Sequence, residues 1–278
     1  MSPMKSRDCS SPGEVKLMNT EQLRSTFMIE DLFSPGLINL TYSHYDRLII
    51  GGVQPGDKNL SLPTYDLLKA KHFLERREMG IINLGSTGLV HAENQTFTLD
   101  HLDVLYLGMG SRNIQFENGE GTHALFYLLS APAHHAYPIA FKPKSEATPV
   151  KLGTQDTANS RTVYKYIFTE GITSCQLVMG LTVLEPGNVW NTMPPHIHDR
   201  RMEAYIYFNL DDKQRVCHFM GTPEETRHLW VKNLQAIISP PWSIHSGCGT
   251  SSYSFVWGMA GENKDYTDMD VLTLDMIR

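Results

Sequence analysis

The chain has 278 residues, 41% of them hydrophobic and 19% charged, with a formal net charge of -6. That is length for roughly two domains, and the balance of apolar to charged residues excludes a disordered chain. The mild negative charge gives no electrostatic reason to expect nucleic acid or an acidic membrane as partner.

Cysteines at 9, 175, 217 and 248 form no CxxC pair, and a chain of this size can build its cores without disulfides, so none is expected. The basic start, Met1 to Arg7, is not followed by an apolar run, and no stretch approaches 18 apolar residues. These features predict a soluble protein of a reducing, cytoplasmic compartment.

Thr20 to Phe33 is predicted as a helix. Thr20 can cap it, Leu23, Phe27, Ile29 and Leu32 form an apolar stripe, and Pro35-Gly36 ends it. A shorter helix is predicted over Tyr65 to Glu75. Strands follow: Met79 to Leu84, Gly88 to Glu93, Thr96 to Leu99, Val104 to Leu107, Asn113 to Glu117 and Ala124 to Leu129. Short strands with Gly and Asn turns at close spacing indicate a β-sandwich or small barrel. There is no βαβ alternation, no GxGxxG and no P-loop.

Residues 130–160 carry Pro132, Pro143 and Pro149 and form the predicted linker, or an ordered crossover given the alternation of Tyr137, Ile139 and Phe141. A second run of strands is predicted over Thr162 to Phe168, Cys175 to Leu184, Arg201 to Phe208, Arg215 to Met220, His228 to Val231, Ala236 to Ser239 and Ser252 to Gly258. The expected domains are 1–150 and 151–278. The halves also resemble each other: Val104 to Asn113 can be laid over Ala236 to His245, which points to an internal duplication with Asn113 opposite His245.

The chemistry concentrates in Pro194-Pro195-His196-Ile197-His198-Asp199-Arg200-Arg201-Met202-Glu203. Two histidines two apart on an extended segment point to one side. Glu203 lies an odd number of residues beyond His198, so a turn at Asp199-Arg200 must reset the register if all three are to converge. Beyond it, Glu203, Tyr205 and Tyr207 share one face. The fourth candidate ligand is His245, in the turn Pro240-Pro241-Trp242-Ser243-Ile244-His245. Three imidazoles and one carboxylate suit Zn²⁺, Fe²⁺, Mn²⁺ or Ni²⁺. Of the twelve histidines, His72, His91, His101, His123 and His218 are expected to be structural or surface residues. His44, His134, His135 and His228 are candidates for contacts near the site.

HxH, four residues, Glu, and a later His after a proline-rich turn resembles the metal pattern of cupins. The chain as a whole is similar to the family of 4-deoxy-L-threo-5-hexosulose-uronate ketol-isomerases. The likeness runs through Tyr42 to Val53, Phe73 to Gly85, Ala131 to Pro138, Ser160 to Ile167, Trp190 to Glu203 and Ser239 to Gly247. A small departure is Pro195, beside a ligand, where some members carry cysteine.

That resemblance implies a mainly β bicupin: two jelly-roll β-sandwich domains with a few short helices, the first without a metal site. It implies one Zn²⁺ per subunit on His196, His198, Glu203 and His245, and a homohexamer acting on a small uronate-derived substrate in pectin breakdown. The implied reaction, an aldose–ketose isomerisation, needs a proton moved between adjacent carbons and charge stabilised on the enediolate. Glu203 and Tyr205 are the candidate catalytic residues. Arg161, Lys165, Arg200 and Arg201 are candidates for the substrate carboxylate, since guanidinium matches a carboxylate with two donors. The alternatives are another metal-dependent cupin enzyme, such as a different sugar isomerase or an iron dioxygenase, and a non-enzymatic sugar-binding bicupin.

Overall fold

In the computed structural model, which describes residues 3–278, strands dominate and helices are few and short. Met1 and Ser2 of the basic start lie outside the described residues. Two compact units divide the chain. One comprises the segment ending at Ser6 with Asp31–Ala147 and Tyr166–Met179; the other comprises Arg7–Glu30, Thr148–Lys165 and Gly180–Arg278. The contiguous division expected at residue 150 therefore fails at two segments. Residues 7–30 join the second unit because Met28–Ile29 pairs with Ala236–Ser239. Tyr166–Met179 joins the first, where the Glu78 carboxylate accepts hydrogen bonds from the amides of Cys175, Gln176 and Leu177.

Each unit is built on one large and one small sheet, and a two-stranded sheet, His196–Ile197 with Asp270–Val271, is added in the second. In the first, the large sheet runs Lys5–Arg7, Leu37–Ser43, Ile49–Gln54, Phe126–Pro132, Arg77–Asn83, Val104–Leu107, Ala140–Lys142. In the second it runs Pro149–Leu152, Arg161–Ile167, Val178–Leu184, Ser254–Gly261, Arg201–Phe208, Ala236–Ser239, Met28–Ile29. The small sheets run Leu60–Ser61, Gln115–Asn118, Gly88–Ala92, Gln95–Leu99 and Trp190–Asn191, Ser246–Gly249, Val216–Thr222, Glu225–Val231. The two orders correspond strand for strand, so the sequence likeness of the halves reflects one repeated topology.

Val104–Leu107 and Ala236–Ser239 are strands at the residues predicted, and the predicted linker is an ordered crossover carrying the strands Ala140–Lys142 and Pro149–Leu152. The predicted helix over residues 20–33 is shorter. It is Thr20–Phe27, capped by the Asn19 side chain on the Gln22 amide, and the apolar stripe continues as a strand at Met28–Ile29. Alternation and helical periodicity coincide over so few residues, and pairing with a sheet edge decides between them. A helix Pro12–Leu17, opened by a Ser11/Glu14 capping box, was not predicted, and of the Tyr65 to Glu75 helix only a single turn, Asp66–Leu68, forms.

The strands Leu37–Ser43 and Ile49–Gln54 were also not predicted. Gly51 and Gly52 suggest a turn within Ile49–Gln54, yet both lie in its ladder. A Cβ on Gly51 would come within 2.4 Å of Leu40, and one on Gly52 within 2.4 Å of the Leu32 carbonyl. Glycine is there for close approach.

The first unit's interior is filled by apolar side chains, among them Leu40, Leu74, Met79, Ile81, Leu105, Ile114, Phe116 and Phe126. Full burial of side chains of this size contributes about 1.5–3 kcal/mol each. The second unit buries Met202, Ala204, Ile206 and Phe208 on one face of its central strand, and Glu203, Tyr205 and Tyr207 on the other.

Candidate metal centre

The site is built on the Arg201–Phe208 strand, central in its sheet, with Ser254–Gly261 on one side and Ala236–Ser239 on the other. Glu203 projects from it. The two-residue strand His196–Ile197 precedes it and pairs with Asp270–Val271. Between them the chain turns through Asp199 and Arg200, closed by the Arg201 amide on the His198 carbonyl. This is the register reset that the odd spacing required. His245 arrives from the turn after Ala236–Ser239, where the Ser243 hydroxyl accepts from the Gly221 amide.

The four ligand atoms lie within 4.8 Å of one another. His245 Nε2 is 2.9 Å from His196 Nε2 and 3.1 Å from Glu203 Oε2, and His198 Nε2 is 3.0 Å from the same oxygen. An ion bound at about 2.0–2.1 Å in a tetrahedron separates its ligands by about 3.3 Å. These three spacings are slightly tighter than that and the whole set spans up to 4.8 Å, so side-chain adjustments of about an ångström would bring the four atoms onto one ion. Second contacts fix the tautomers. His198 Nδ1 donates to the Arg201 carbonyl at 2.9 Å, and His245 Nδ1 faces the Ser243 carbonyl at 3.4 Å. A carbonyl only accepts, so each Nδ1 carries the proton and each Nε2 keeps its lone pair toward the centre.

Burial sets the charge states. His198, Glu203 and His245 are buried and His196 half-buried. Desolvation lowers His196 to about 4 and holds His245 well below the usual histidine range, helped by the neighbouring imidazoles. In His198 burial acts the same way, but the hydrogen bond and charge of Glu203 outweigh it and raise the value. Tyr205, beside Glu203 and Thr192, is pushed well above 10 by burial first and the Glu203 charge second, so its phenol stays protonated. Its ring packs edge-on to His245 with centroids 5.7 Å apart. Deeper, the Tyr207 hydroxyl lies 2.7 Å from Nδ1 of the fully buried His218.

A cleft of about 430 Å³ opens over the cluster, lined by His196, His198, Glu203, Tyr205, Arg161, Lys165 and Arg201 together with the aromatic rings of Phe255, Trp257 and Tyr266. Arg161 donates to the carbonyl and side-chain oxygens of Asn159. Lys165 places its ammonium 4.3 Å from the centre of the Tyr266 ring. Arg200 is a correction. It is not among the cleft residues; its exposed guanidinium pairs with Glu262 at 2.6 Å, because the turn that resets the register points it to solvent. His44, His134, His135 and His228 are exposed and lie outside the cleft lining.

Nothing in the sequence singles out Thr192, Trp257, Tyr266 and Asp268. Tyr266 lies in the cleft lining, and Asp268 holds Arg201 at 2.7 Å. Both sit in an irregular segment far along the chain, where no periodicity marks an inward residue.

A mainly β, cupin-like protein with a metal-binding site of three histidines and one glutamate is the class that this fold and this cluster define. The model of the KduI/IolB family matches residues 60–274. The 4-deoxy-L-threo-5-hexosulose-uronate ketol-isomerase of Halalkalibacterium halodurans is 53% identical over 276 residues, covering 99% of this chain and 100% of its own. The Bacillus subtilis protein of that name is 50% identical, over 99% and 100% of the two chains. Among solved structures, an IolB-like protein from Salmonella typhimurium shares the fold with a TM-score of 0.65 at 14% identity, over 81% of this chain and 86% of that one. The chain belongs to the KduI/IolB family.

Proposed function

We propose that this protein is a zinc-dependent ketol-isomerase that converts 5-dehydro-4-deoxy-D-glucuronate to 3-deoxy-D-glycero-2,5-hexodiulosonate in the breakdown of pectin and related uronate polymers. The observation that carries the reading is the convergence of His196, His198, Glu203 and His245, the first three of them lining a cleft that also presents cations. Relatives of near-equal length bearing the ketol-isomerase name support the substrate assignment.

A zinc ion held by these four side chains would supply Lewis acidity for the substrate carbonyl. The rest of the chemistry falls to the chain. Tyr205 keeps its proton because it is buried, so it acts as a hydrogen-bond donor to the oxygen on which enediolate charge grows. Glu203 turns Oε2 toward the histidines, and its other carboxylate oxygen is the one left to receive and return a proton beside that phenol. The walls formed by Phe255, Trp257 and Met259 limit water at the reacting carbons. Arg161, Lys165 and Arg201 face the same cleft and provide the positive charge that an anionic sugar requires.

The repeated strand order supports a bicupin of two jelly-roll domains, the second carrying the metal. No helix among the described residues is long and apolar enough to cross a membrane, and we place the protein in the cytoplasm. The homohexamer expected from the family resemblance completes the proposal, with light scattering as its check. The function is tested by incubating zinc-loaded protein with the ketoaldehyde and following loss of the aldehyde; turnover is expected, and none by fully loaded protein would overturn the reading.

A further inference from the structure

We propose that Arg201 and Tyr266 form the carboxylate-binding end of the metal cleft, and that Asp268 is the positioning residue that aims Arg201. The inference rests on the ketol-isomerase reading for the identity of the anion and on the following geometry for its location.

Arg201 has no exposed surface, although a guanidinium carries five N–H donors. Nη2 donates to Asp268 Oδ1 at 2.7 Å. Nε and Nη1, with three N–H groups between them, are buried and have no partner among the described residues. The Tyr266 hydroxyl is likewise buried without a partner. Both side chains line the cleft that holds the metal ligands, and the Arg201 guanidinium carbon lies 5.7 Å from the centre of the Tyr266 ring. Buried donors are almost always paired, and orphans that cluster in a cleft point to an acceptor supplied by a ligand.

The other cations are differently occupied. Arg200 is at the surface with Glu262, and Arg161 spends Nη1 on Asn159. Lys165 sits over the Tyr266 ring, so its charge adds to the field at the same end without competing for the in-plane hydroxyl.

The spacing suits a six-carbon acid. Arg201 and Glu203 are two apart on one strand, hence on one face and about 6.6 Å apart along it. Five C–C bonds of about 1.5 Å in a zigzag span about 6 Å. A six-carbon acid with its carbonyl end at the metal ligands therefore spans a strand face that also carries Arg201. A neutral sugar would leave the buried donors unpaired, which makes this end a determinant of specificity.

The test uses full-length, metal-loaded Arg201→Gln, Arg201→Lys, Tyr266→Phe and Asp268→Asn, with Arg200→Gln as control. Metal content, steady-state kinetics with the ketoaldehyde, and calorimetric binding of D-galacturonate against D-galactose are measured. Tyr266→Phe and Asp268→Asn should each raise KM about tenfold, and Arg201→Gln more, with metal content unchanged and kcat changed much less. Arg201→Lys should recover only part of the loss, because a point charge lacks the planar donor array. Galacturonate binding should weaken in parallel and any galactose binding should not. Should Arg201→Gln fail to fold, the Tyr266 and Asp268 variants still decide. Unchanged KM and unchanged galacturonate binding in both of these variants would overturn the subsite. An inactive wild-type protein would overturn the isomerase reading instead, and loss of galacturonate binding in Tyr266→Phe would then still support the anion subsite.

Discussion

The two units share a strand order and differ in what their central strand presents to the interior. Met79 pairs with Leu107 and Ser130, as Glu203 pairs with Ser239 and Met259. Met79 is therefore the positional counterpart of Glu203, and Ile81 that of Tyr205. Five residues before Met79 stands buried Leu74, and five before Glu203 stands His198. His72 and Asn113, at the positions of His196 and His245, survive beside a cleft of the first unit with Phe73. The fold alone does not make a metal site. Two apolar side chains in place of a carboxylate and an imidazole turn the same framework into a packed core.

Glu78 sharpens the contrast. It resembles a partner for Glu203 in the sequence but lies one residue earlier in register, so it faces the other side of its sheet. There it accepts from the Tyr106 hydroxyl and three backbone amides, which makes it a structural staple.

The largest effects should come from removing a ligand in the second unit. His245→Ala or Glu203→Ala should lose the ion and lower activity by about a thousandfold or more, read by metal analysis and aldehyde consumption on the same samples. In the first unit the comparison breaks the other way. Met79→Glu puts a carboxylate into an apolar interior and should destabilise by about 3 kcal/mol or more without creating a metal site. A thermal melt and metal analysis check both halves of that statement.

Chelation should lower the melting temperature. An ion present at about a hundredfold over its dissociation constant contributes about 2.7 kcal/mol to the folded state. Acid should act in the same direction, because imidazoles must be deprotonated to bind metal. A smaller effect is expected from Tyr205→Phe: kcat lower by about ten- to a hundredfold with the ion retained, since only the donor to the enediolate oxygen is lost. Arg200→Gln should change neither kcat nor KM, because its guanidinium faces solvent.

The four ligands were legible in the sequence because local rules place them: two-residue alternation for His196 and His198, a turn at Asp199-Arg200, and a proline-bounded turn before His245. The duplicated strands at Val104–Leu107 and Ala236–Ser239 were legible for the same reason. Tyr266 and Asp268 were not, because only the tertiary fold brings an irregular segment against Arg201. Nor was the exchange of residues 7–30 into the second unit, since Met28–Ile29 becomes a strand only through its pairing with residues 236 and 237. Leu32 continues the helical stripe in the sequence, yet it lies in the other unit.

The most direct test is the metal content of the purified, full-length protein measured beside its isomerase activity, before and after exhaustive chelation and zinc readdition. One zinc per chain, activity lost with the ion and restored with it, and neither recovered in His245→Ala, is the expected result. Full activity in protein stripped of metal would contradict it.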